Sequence, residues 1–163
     1  MKNKSLLGLS TAFALTLAIG VTSCKKDKDD NNGGSSAALS ATIGTNAFKP
    51  IAITAVAQGT YIHIVGGATL PGDSVYLDVY FPDTAKLNTK ISFKDDADLQ
   101  LATFTTLKLY SGQDDRSHGF VTVSTYDKTS KKIAGTFEGV LYDAFGGKDS
   151  VVIKNGQFNT TYK

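Results

Sequence analysis

The chain has 163 residues, 41% of them hydrophobic and 20% charged, ordinary globular values that exclude disorder or membrane-spanning character throughout. Its formal charge is +2, but Lys2 and Lys4 lie in a segment expected to be removed, which leaves 15 basic against 15 acidic residues. A neutral chain lacks the basic surface that phosphate binding needs, so an electrostatically driven nucleic-acid partner is excluded.

At the N-terminus, Met1-Lys2-Asn3-Lys4 supplies two positive charges, and Leu6 to Val21 follows without any. A basic start, an apolar run and small residues before a cut site are the parts of a secretory signal peptide. The apolar run is about sixteen residues, diluted by Gly8, Ser10, Thr11 and Thr16, short of the ~20 that a spanning helix wants. Val21-Thr22-Ser23-Cys24 ends it, and Cys24 is the single cysteine. This segment resembles the lipobox of bacterial lipoproteins. The resemblance implies that residues 1–23 are cleaved and that Cys24 takes a diacylglyceryl thioether. Two or three acyl chains would then anchor the protein firmly, where one alone would be marginal.

Lys25-Lys26-Asp27-Lys28-Asp29-Asp30-Asn31-Asn32-Gly33-Gly34-Ser35-Ser36 holds no apolar residue, so it can bury nothing to offset the entropy of ordering. Residues 24–38 therefore read as lipidated Cys plus polar tether. Its Lys/Asp start resembles the export signal that sends some lipoproteins to the outer face of the outer membrane. The expected address is the outer membrane, at the cell surface rather than on the periplasmic face.

Residues 39–163 read as strands. With no disulfide available, the fold must stand on its core alone. Strands are expected at Phe48–Val56 and Tyr61–Val65. Between Pro71-Gly72-Asp73 and Pro82-Asp83, Val75, Leu77, Val79 and Phe81 alternate with Tyr76, Asp78 and Tyr80, a strand between turn signals. Ile91 and Phe93 alternate likewise. Leu101–Tyr110 slips parity, which a bulge or bend near Thr105 would explain. Val121 and Val123 share one face, with Phe120, Thr122, Ser124 and Tyr126 on the other. Asp127–Lys132 is a polar turn. Ile133, Phe137 and Leu141 are spaced by four, yet Gly135 and Gly139 between them would cost a helix roughly 1 kcal/mol each. A strand puts all five on one face, with the glycines making room for rings or marking bulges. Asn155-Gly156 predicts a two-residue hairpin between 150–153 and 157–162. The sum is an all-β domain of about eight to ten short strands, an antiparallel β-sandwich or a partly open β-barrel.

The run from Ile133 to Tyr142, with its Gly135-x-Phe137-x-Gly139 core, and the later Asn155-Gly156-Gln157-Phe158 resemble the ending of a group of small uncharacterised surface lipoproteins. That resemblance brings no activity with it.

Chemistry-bearing residues are few. His63 sits inside a strand pattern and reads as structural. Ser111–His118 is the most polar stretch, and Asp114, Asp115, Arg116 and His118 are its candidate binding residues. A nucleophile, a base and carboxylates along one loop do not make a triad, which needs a base oriented on a rigid frame. Asp95-Asp96-Ala97-Asp98 lacks the ligand spacing of a calcium loop. No phosphate loop, metal-type histidine pair or nucleophile elbow is present, and the sequence calls for no cofactor and no metal. Tyr76 and Tyr80, opposite the Val/Leu stripe, are a candidate aromatic platform for an envelope protein or a glycan. The expected function is a non-catalytic binding module on the envelope. The alternative is an envelope enzyme inhibitor or immunity-like protein acting through residues 111–118, and a hydrolase using His118 comes third.

If Cys24 carries the lipid, Cys24→Ser should abolish metabolic labelling by a palmitate analogue and release the protein from membranes. Continued labelling and sedimentation would refute the lipobox reading.

Overall fold

The computed structural model describes residues 38–163; Cys24, the signal segment and the tether lie outside the described residues. Eleven strands follow in chain order: β1 Ala38–Ile43, β2 Asn46–Phe48, β3 Ala52–Gln58, β4 Tyr61–Leu70, β5 Asp73–Pro82, β6 Lys90–Ser92, β7 Asp98–Thr103, β8 Leu109–Ser111, β9 His118–Asp127, β10 Lys132–Asp143 and β11 Ser150–Thr161. They form one antiparallel sheet in the order β2-β1-β11-β10-β8-β7-β5-β4-β3, curled into a half-barrel. Of the two architectures expected, the partly open barrel is the one found.

The sheet forks at β10. One edge pairs with β11 along its length. The other is shared in series: β9 takes Lys132–Val140 and β8 takes Tyr142 and Asp143. β6 lies outside β9. At the far end of the path, Lys163 donates its N–H to Ala55 O (3.1 Å) and accepts from Ala57 N (3.0 Å). The chain end thus covers part of the open edge of β3, which would otherwise present unpaired backbone groups.

The inner face carries the alternating residues. Val75, Leu77, Val79 and Phe81 are buried, as are Val121, Val123, Ile133, Phe137 and Leu141. Glycines opposite phenylalanines make the close packing possible. A Cβ on Gly135 would come within 2.4 Å of the Phe158 ring, and one on Gly156 within 2.4 Å of the Phe137 ring. Gly119 and Gly139 face each other across β9 and β10, and a Cβ on either would lie 2.4–2.5 Å from Phe93 Cε2. Phe93, fully buried, packs against this side-chain-free pair.

Four expectations are corrected. Asn155-Gly156 is not a turn: β11 runs straight through it as one strand. Phe137 pairs with Gly156 and Gly139 with Ile153, while Ser40 pairs with Gln157 and Thr42 with Lys154. Both neighbours show one extra residue in β11 here, a bulge whose Asn155 has φ +53°, the conformation Asn-Gly favours in turns and bulges alike. The slip in 101–110 is the bend rather than the bulge, and it is tight enough to split the expected single strand into the β7–β8 hairpin. Thr103 N donates to Lys108 O, and the Asp73 carboxylate accepts the N–H groups of Phe104, Thr105 and Thr106 at 2.7–3.2 Å. Tyr126 faces the core rather than sharing a side with Phe120. Gly135 pairs with Val123 but Ala134 with Thr125, so an extra residue at Ser124 reverses the parity. Phe48–Val56 is interrupted at Pro50, giving β2 and β3. The two split runs bring the strand count to eleven.

Phe137 is 1% exposed while its neighbour Glu138 is exposed. Truncating a buried Phe costs ~3–5 kcal/mol, whereas a surface site changes by about 0.5 kcal/mol at most. Phe137→Ala should therefore lower the denaturation midpoint sharply and Glu138→Ala barely; comparable small losses would mean the strand is faced the wrong way.

Candidate functional site

Three places on the outside of the half-barrel collect polar and aromatic side chains. The first lies on β4, β5 and β7. Register sets His63 opposite Tyr80, and Tyr80 opposite Asp98. The Tyr80 hydroxyl donates to Asp98 Oδ2 (3.0 Å), which also accepts from Gln100 Nε2 (3.2 Å) and Ser111 Oγ (3.3 Å). His63 stacks on the Tyr80 ring at 5.0 Å and Tyr61 meets that ring edge-on at 5.8 Å. His63 Nδ1 lies 3.1 Å from Asp78 Oδ2.

Asp98 is fully buried, with three donors on one oxygen and none on Oδ1. Burial raises its pKa, and the hydrogen bonds from Gln100, Tyr80 and Ser111 oppose that rise. Burial also raises the Tyr80 hydroxyl, followed by the nearby Asp98 carboxylate. Tyr80 is thus a linked part of the wall rather than an open platform. Tyr76 stands at the other end of the same face, its ring 3.2 Å from where a Gly67 Cβ would be.

The second place is the loop after β8. Arg116 donates to Asp114 through Nε (2.8 Å) and Nη2 (2.9 Å), and to Gly147 O (2.8 Å) and Asp143 O (3.2 Å). It also covers the Tyr142 ring at 4.8 Å. The Arg116 hydrogen bonds hold the Asp114 carboxyl down at about 2. Ser117 is buried; its hydroxyl donates to Ser111 O (2.7 Å) and accepts from Tyr142 N (2.8 Å). Asp114 and Arg116 therefore clamp the loop against the β10–β11 connection, while Asp115 faces solvent.

The third is a groove of about 680 Å³ on the outer face of β6, β9, β10 and β11, within the ~300–1,000 Å³ range of small-ligand sites. Val140 and Val152 line it with His118, Glu138, Lys154 and Lys90. The register builds it: Val140 lies opposite His118 and Glu138 opposite Phe120. Lys90 Nζ sits 3.8 Å from the Phe120 ring centroid. Among the described residues, Glu138 and Lys154 have no ion pair. Here the sequence candidates divide. His118 enters the groove, Asp114 and Arg116 neutralise each other in the loop, and Tyr80 belongs to the Asp98 network.

Residues 85–161 match a family model described as a domain of unknown function, DUF5025. The match takes in β6 to β11, every strand that lines the groove. No curated protein and no solved structure matches the chain.

Sequence reasoning missed Asp98, Glu138, Lys90 and Lys154. In the sequence Asp98 stands out only as part of the Asp95-Asp96-Ala97-Asp98 run, since nothing local announces that Tyr80, 18 residues earlier, donates to it. Glu138 could have been found by counting the β9–β10 hairpin outward from the Asp127–Lys132 turn, had the extra residue at Ser124 been known.

A buried carboxyl with a raised pKa favours folding while neutral, so its contribution is complete below the unfolded value near 4 and is lost as pH rises through the folded one. Asp98→Asn keeps an acceptor for Tyr80 and Ser111 and cannot ionise. The stability gap in favour of Asp98→Asn should open as pH rises above about 4; a gap that stays constant from pH 3 to 8 would show that Asp98 does not titrate differently in the two states.

Proposed function

We propose that this is an outer-membrane lipoprotein, held by acyl chains on Cys24, whose all-β domain is a non-catalytic binding module displayed at the cell surface. The observation that carries the binding reading is the groove beside His118. It combines an apolar floor with charged groups that the fold leaves unpaired, the composition of a ligand site rather than of a merely solvated sheet. An envelope protein or a glycan is the class of partner that an exposed groove on an anchored domain would meet.

The hydrolase reading is weaker on chemistry. The one hydroxyl next to His118 in sequence, Ser117, is buried and bound at both ends by backbone groups, so it is not free to act as a nucleophile. The inhibitor reading through residues 111–118 has support in the rigidity that Arg116 confers, but that loop is folded down on Tyr142 rather than held away from the body.

Val152 is on the groove floor with its side chain partly exposed, so Val152→Arg should fill the groove without unfolding the domain. A component of envelope extract captured by the full chain should be lost with Val152→Arg, at an unchanged melting temperature. Equal capture by both proteins would mean that the groove is not the binding site.

A further inference from the structure

Four large apolar side chains stand in water close together at one end of the half-barrel. Ile51 is 96% exposed, Leu107 82%, Phe104 58% and Tyr76 38%. Ile51, Tyr76 and Phe104 line one shallow hollow over Gly67, and Leu107 lies on the same β7–β8 turn as Phe104. None is there through looseness of the backbone. The Ile51 N–H donates to Gly67 O (3.3 Å) and the Phe104 N–H to Ser74 O (3.0 Å). Asp73 holds the turn through three backbone N–H groups and the Thr106 hydroxyl. The fold holds these side chains outward at a hydration cost, and exposed apolar clusters of this kind mark contact surfaces.

The position of the chain's entry identifies the partner. A Cβ on Gly66 would come within 3.0 Å of both Leu39 Cδ2 and the Pro50 ring. The first buried residue of β1 and the residue just before Ile51 therefore meet at one spot. The polypeptide coming from Cys24 enters the domain beside the apolar cluster. Residues 25–37 reach at most ~45 Å even when fully extended, so lipid on Cys24 keeps this end of the domain at high effective concentration near the bilayer.

We infer that the Ile51, Tyr76, Phe104 and Leu107 cluster docks into the interface of the bilayer that receives the acyl chains of Cys24. This rests on the lipoprotein reading above. Aromatic and aliphatic tips suit the headgroup–acyl boundary, where an amphipathic tyrosine also keeps its hydroxyl wet. Lys49 stands two residues before Ile51, a cation suited to headgroup phosphates, whereas Lys108 beside Leu107 is paired with Asp149. Docking fixes the orientation of the domain as well as its distance from the membrane.

The chain has no tryptophan, so Phe104→Trp in the full lipidated chain reports one position. Leu87→Trp is the control, on the β5–β6 connection and 50% exposed, beyond the Pro82 end of β5 and away from the Asp73 turn. In phosphatidylcholine vesicles with acyl chains brominated near the headgroup, F104W should shift to the blue and lose most of its emission, while L87W should keep its own. Adding Ile51→Asp and Leu107→Asp to F104W should restore emission although the protein still sediments with the vesicles. Equal quenching of F104W and L87W in sedimenting protein would overturn docking and leave the anchor intact. A concentration-dependent blue shift of F104W without vesicles would overturn it in favour of a second copy of the chain. Protein that carries no acyl mass and fails to sediment would refute the anchor and the docking with it.

Discussion

The seating of the Phe93 ring on the paired glycines Gly119 and Gly139 is the contact on which the forked sheet depends. Two strands share one edge of β10, and the ring occupies the space that two side chains would otherwise fill. Any Cβ at either glycine would force the ring out of a fully buried site. Gly119, at φ +156°, also has a backbone that side-chain-bearing residues adopt only under strain. Phe93 follows β6 directly, so the same contact holds β6 against β9. Gly135 with Phe158 and Gly156 with Phe137 repeat the device on the other side of β10. Glycines that would weaken an ordinary strand thus become the close-approach points of a tightly curled one.

Two regions of the outer face use polarity differently. On β4, β5 and β7 the hydrogen bonds converge inward, with Tyr80, Gln100 and Ser111 all serving Asp98. A buried carboxyl that is partnered on one side only stabilises a specific arrangement more than it stabilises folding as such. Through Ser111, whose carbonyl receives the Ser117 hydroxyl, that network continues into the Arg116 clamp, so β5 and the loop after β8 form one rigid body of polar contacts. Around the groove on β6, β9, β10 and β11, Glu138 and Lys154 have no ion pair among the described residues. On the reading proposed above, that contrast is what would suit the second region to a ligand.

On the reading proposed above, a groove on one strand group and an apolar rim at another end would separate two tasks. The rim lies on turns, where side chains can project without breaking a ladder. The groove lies on strands, where register holds each side chain in place. Docked as proposed, the domain would present its groove in a defined direction relative to the membrane.

The alternation of Val75, Leu77, Val79 and Phe81, the spacing of Ile133, Phe137 and Leu141, and the glycines between them already determined an all-β fold and the side that each strand buries, because period-2 burial is a local property of the chain. Asn155-Gly156 and the 101–110 run were not legible, since the same left-handed residue serves a bulge or a turn, and only cross-strand pairing decides which. The candidate residues divide on the same principle. Asp114 and Arg116 are close in sequence, yet the carbonyls of Asp143 and Gly147 turn them into a clamp. Tyr80 acquires its role from Asp98, and His118 lines one groove with Glu138 only because β9 and β10 pair with an extra residue at Ser124. Local patterning sets which way a side chain points; long-range register, with the bulges that shift it, decides what it points at.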